Sequence, residues 1–124
     1  MPYMQIANYR QGVLAPLDNE SCVIGNGAFE GPVRVDFLLI DHHGGFGILW
    51  RDNLFKYLSE ECDFLWLDEY EEEYIPPEKL DQVIKTLKKH QDEFTHEYTK
   101  TFAKMLIDLV TSAKERGHPV IFVL

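Results

Sequence analysis

Asp41-His42-His43 follows directly on the apolar run Phe37-Leu38-Leu39-Ile40. A carboxylate and imidazoles at a strand end are the groups that bind a divalent metal or relay a proton. With Asp36 upstream, Asp36, Asp41, His42 and His43 would be the ligand set in the alternative reading of a small metal-dependent hydrolase. A second concentration is Asp92, Glu93, His96 and Glu97, where helical spacing puts Asp92–His96, Glu93–His96 and Glu93–Glu97 on one face. No further element offers ligands to it, so capping acids beside an exposed histidine are the plainer reading. His90 and His118 flank predicted helix ends, which favours a structural role for each. Gly25-Asn26-Gly27 and Gly44-Gly45-Phe46-Gly47 are read as turns, since a phosphate-binding loop must open a helix after a strand. There is no GxSxG, and Ser21, Ser59 and Ser112 stand in no nucleophile context. Cys62 lies among Glu60, Glu61 and Asp63, whose negative charge disfavours a thiolate. No cofactor is expected.

The Asp41-His42-His43 tripeptide resembles the signature of the DHH phosphoesterases, which follows a hydrophobic strand and helps hold catalytic metal in that family. The resemblance covers three residues. Those enzymes are longer and carry further aspartate motifs upstream, whereas only Asp18 and Asp36 precede this point. The competing reading is a polar hairpin loop.

The strongest chemical signal is electrostatic. The chain of 124 residues has a formal charge of −9. Residues 57–78 hold nine acids (Glu60, Glu61, Asp63, Asp68, Glu69, Glu71, Glu72, Glu73 and Glu78) and no base, while the flanking regions nearly balance. Such a chain is no general nucleic-acid binder, which needs excess Lys and Arg to replace counterions. Anionic lipid repels it as well. Phe64, Trp66, Tyr70 and Tyr74 are interleaved with the carboxylates. Carboxylates alone describe a solubilising segment. Tyrosine among them matches an interface better, because Tyr combines large contact area with few rotors. Trp66, Asp68, Glu69, Tyr70, Glu71, Glu72, Glu73 and Tyr74 are therefore the candidate contact for a basic partner, with Tyr57 as a further anchor. A row of carboxylates imitates phosphate spacing and can fill the cleft of a nuclease.

Several elements must position these residues. Val33–Ile40 reads as a strand whose far end is buried on both faces. Phe46–Trp50 is a second strand paired to it through a glycine hairpin. Tyr3–Tyr9 and Ser21–Ile24 are weaker strands, separated by Gly12, Pro16 and Asp18-Asn19. Asp52 or Asn53 caps a short helix over Leu54–Leu58, and Asp63–Asp68 is a third strand. Leu80, Val83, Ile84 and Leu87 make an apolar helical stripe, as do Phe94, Tyr98, Phe102, Met105, Leu106, Leu109, Val110 and Ala113. They predict helices over 77–90 and 92–116, broken near His90-Gln91-Asp92, with Asp92 capping the second and Gly117 stopping it. Pro119–Leu124 is an apolar, well-covered terminal strand.

The chain is thus expected to be one α+β domain over 1–124: an antiparallel sheet from the N-terminal half plus a C-terminal strand, with the two helices on one face. Cys22 and Cys62 are too few for a disulfide framework and read as reduced thiols. Without an apolar leader or a run of roughly 20 apolar residues, the expected location is the cytoplasm. The leading functional reading is a non-enzymatic binding protein of the bacterial immunity type, whose acidic-aromatic surface occludes a basic nuclease toxin. The alternatives are the metal-dependent hydrolase and a structural subunit of a larger assembly, the latter showing an apolar patch along helix 92–116.

Overall fold

The computed structural model describes residues 11–18, 34–62, 67 and 72–124. In chain order they form β1 (Gly12–Pro16), β2 (Val35–Leu39), α1 (Gly45–Arg51), α2 (Leu54–Glu61), β3 (Glu72–Ile75), a 3-10 turn (Pro77–Lys79), α3 (Leu80–His90), α4 (Glu97–Arg116) and β4 (Val120–Val123). The class is α+β. All strand pairings are antiparallel, the order is β2-β1-β4-β3, and the helices pack against the sheet.

β4 lies between β1 and β3, and each of its residues is buried. Its apolar Val120-Ile121-Phe122-Val123 run marked it for such a place, since a strand covered on both faces needs no polar alternation. Phe122 pairs with Val13 and faces the core cluster, as do Ala15, Val120 and Leu124. Leu14 and Ile121, a register pair, turn to the other face and are also fully buried.

The two long helices supply the other half of the core. Leu80, Val83 and Leu87 of α3 and Phe102, Leu106, Val110 and Ala113 of α4 are buried along their expected stripes, whereas Met105, expected in the second stripe, faces solvent and Ala103 is buried in its stead. Each such leucine stabilises by roughly 1.5–3 kcal/mol relative to exposure. The chain turns over residues 91–93, where the predicted break lies. The stop at Gly117 is also as expected. Its φ of 71° permits the left-handed turn in which His118 N–H donates to the Ala113 carbonyl at 2.9 Å. His118 is buried there, its Nδ1 2.9 Å from the Pro16 carbonyl of the inner strand β1.

Five further expectations are corrected. Gly12–Pro16, read as a separator, is the inner strand β1, because pairing on both sides outweighs its weak local propensity. Phe46–Trp50 is helix α1, not the second strand of a hairpin. Gly44 adopts φ 101° at its N-cap, so the glycines following a strand do open a helix. Short apolar runs do not distinguish strand from helix. Val33–Ile40 does not end buried on both faces: β2 is an outer strand of the described sheet, with Leu39 38% exposed. α4 starts at Glu97 with His96 as its cap, so Asp92 caps nothing there. Neither Asp52 nor Asn53 caps α2 through its side chain, and Asp52 serves α4 instead. The strand expectations for 3–9 and 21–24 fall outside the described residues, as does that for 63–68 apart from buried Leu67.

Candidate functional site

The acidic stretch meets the sheet at β3. Glu72 pairs with Val123, Glu73 with Phe122, Tyr74 with Ile121 and Ile75 with Val120. The strand is short because Pro76 and Pro77 follow it, and proline cannot extend a ladder. Ile75 is fully buried and pins the strand, while Tyr74 leaves 50% of its surface exposed and Glu72 and Glu73 are partly exposed. Carboxylates and a phenol are thus presented from an outer strand of the described sheet, held through β4 to the core. Trp66, Asp68, Glu69, Tyr70 and Glu71 lie outside the described residues. Tyr57 is not a free anchor, since its ring is stacked on another side chain.

That side chain is His90, the last residue of α3. The two rings lie 3.7 Å apart between centroids and within 3° of parallel. The His90 Nε2 meets the Glu61 carboxylate, and its Nδ1 meets the Glu93 carboxylate. Glu61 also accepts from Lys89 Nζ at 2.9 Å. Burial lowers the His90 pKa, but the Glu93 and Glu61 hydrogen bonds outweigh it and hold the imidazole above its ordinary value. Glu61 is correspondingly held below the usual carboxylate range by hydrogen bonds from His90 and Lys89. The position of His90 at a helix end was legible in the sequence; its partners were not. The available signal was Tyr57 and Glu61 on one face of α2, with Glu93 three positions after His90.

The other predicted residues are dispersed. Asp41, His42 and His43 form an exposed turn between β2 and α1, in which the His43 N–H donates to Asp41 Oδ1 at 2.8 Å and the imidazole centroids are 4.0 Å apart. Asp36 is exposed and lies 3.9 Å from the Arg116 guanidinium. In the second concentration, Glu93 serves His90, His96 caps α4, Glu97 pairs with Lys100 at 3.3 Å, and Asp92 is exposed. Among the described residues no three His, Cys, Asp or Glu side chains converge as a metal-binding group. Comparison with protein-family models, curated proteins and solved structures finds no match for this chain.

Two further surfaces remain. A pocket of about 330 Å³ is bordered by Trp50, Phe55, Lys56, Ser59, Glu60 and Leu67, next to the root of the acidic stretch. On the outer side of α4, Met105 is 51% exposed, but exposed Thr101, Lys104 and Asp108 surround it in sequence. That face is no continuous apolar patch. Among the described residues no helix is long and apolar enough to cross a membrane.

Proposed function

We propose that the acidic-aromatic stretch is a docking surface for a basic protein, and that the protein is a non-enzymatic inhibitor of the bacterial immunity type acting in the cytoplasm. The observation that carries this reading is Tyr74: half-exposed, preceded in the strand by partly exposed Glu72 and Glu73, and displayed from a strand paired into the sheet. A segment that only solubilises needs neither an ordered strand nor an exposed phenol. Tyrosine contributes contact area at little entropic cost, while the carboxylates steer a cationic surface toward it. The basic partner is a nuclease toxin whose substrate cleft expects phosphates, and the inhibitor blocks it by charge and bulk. No chemical step is required of the inhibitor.

The test is a capture from the host at low salt, followed by binding measurements on the basic protein recovered. The dissociation constant should rise at least about tenfold between roughly 50 and 300 mM salt, as exposed charges are screened. Replacing Glu71, Glu72 and Glu73 together by Lys should abolish binding. An interaction that ignores salt and survives the triple change overturns the proposal.

A further inference from the structure

The His90 cluster poses a question that docking does not answer. An imidazole has two ring nitrogens, and a carboxylate sits on each: Glu61 from the end of α2 on Nε2, Glu93 from the turn after α3 on Nδ1. An ionised carboxylate only accepts hydrogen bonds. Both contacts are therefore satisfied only when both nitrogens carry a proton, that is, by the imidazolium. A neutral tautomer must leave one lone pair facing a carboxylate. Water cannot readily relieve that conflict, because His90 is only 8% exposed and one face of its ring is covered by Tyr57. The C-terminal end of α3 adds a partial negative charge on the same side.

We propose that His90 is a proton-operated latch, which as the imidazolium ties the end of α2 to the end of α3 and on losing a proton to solvent releases the end of α2 at Glu61. Glu61 is the last residue of α2 and Cys62 its C-cap, so whatever holds Glu61 holds the C-terminal end of that helix. Among the described residues, charged and titratable groups face the site from α2, α3 and the turn after it. α2 brings Tyr57 and Glu61, and the turn brings Glu93. α3 itself brings Lys89, bound to Glu61. α4 meets α3 through Lys114, but at Asp81, near the opposite end of the helix from His90. Among the described residues Lys89 is the positive neighbour, and it spends its charge on the same Glu61 carboxylate. The balance at the imidazole remains negative.

The signs define the working range. A histidine raised in the folded state contributes stability that is complete below its unfolded value and is lost as pH rises through the folded one. Glu61, lowered in the folded state, contributes above its unfolded value and loses that contribution as pH falls through the folded one. The latch is thus closed between the lowered Glu61 titration and the raised His90 titration, and opens as pH rises through the latter.

Long-range proton–nitrogen NMR of the whole chain tests the first half. The titration midpoint followed at both His90 nitrogens should lie above the ordinary histidine value of about 6.5. Amide hydrogen exchange tests the second. Protection over Tyr57–Cys62 should fall as pH rises through the His90 titration, about tenfold per unit of pKa difference between the closed and open forms. It should not change with pH in His90→Gln. Glu93→Gln, which removes one partner at an exposed position, should move the transition to lower pH and remains informative if His90→Gln fails to fold. A His90 midpoint at or below the ordinary histidine value, protection in the native chain that ignores pH, or a transition unmoved by Glu93→Gln overturns the latch.

Discussion

Asp52 accepts hydrogen bonds from Thr95, 43 residues further along the chain, at both the backbone N–H (3.1 Å) and the hydroxyl (3.0 Å). The same carboxylate takes the His96 N–H at 3.0 Å. One side chain at the end of α1 thus satisfies donors that the start of α4 leaves free.

The replacement Asp52→Ala should cost about 0.5–2 kcal/mol, the range for losing a capping side chain. Burial raises the pKa of this group, but the Thr95 and His96 N–H bonds outweigh that and leave it lowered from 3.8. The contribution is therefore present above that value and lost as pH falls through the lowered one. Urea unfolding of both proteins should show a gap at neutral pH that closes in acid.

Gly12→Ala should be among the most damaging single-methyl additions in the chain. A Cβ at this position in the inner strand β1 would lie 2.5 Å from the Leu38 carbonyl oxygen and would strike the Phe37 ring. A backbone oxygen paired in the ladder cannot step aside, so a loss of about 3 kcal/mol is expected in thermal or denaturant unfolding. A neutral result would mean that β1 and β2 separate more readily than their register implies.

Asp81 pairs with Lys114 at 2.8 Å and with Lys85 at 2.9 Å, and these hydrogen bonds pull its pKa from 3.8 to about 2. Its ion pairs should persist until the pH approaches that value. A carbon-detected NMR titration should place the Asp81 midpoint well below those of solvent-facing aspartates, and Lys114→Ala should raise it. High salt should raise it too, because the site is open to solvent.

Tyr74→Ala should separate docking from folding. Half of the side chain is exposed, so the unfolding free energy should drop by less than about 1 kcal/mol. Binding to the basic partner should weaken at least about tenfold, as for an aromatic contact at an interface. Equal losses in both measurements would return Tyr74 to a purely structural role.

The helical third of the molecule was legible because its determinants are local. The stripes at Leu80–Leu87 and Phe94–Ala113 are periodic over several turns, and Gly117 can take a left-handed φ that few residues share. The Tyr57–His90–Glu61 assembly was not legible. Glu61 and His90 are separated by 29 residues, and nothing in the spacing of either helix says which residue of the other it faces.

The amino-acid sequence by itself determined that nine acids and no base fall within 57–78, that two amphipathic helices follow, and that the chain returns in an apolar strand. Those are properties of composition and period, which need no partner. Only the tertiary structure decided that Gly12–Pro16 is an inner strand, that Phe46–Trp50 is helical and that Tyr74 sits on an outer strand of the described sheet. Short segments have weak preferences of their own, and their conformation follows the hydrogen bonds and covering surfaces that distant residues supply.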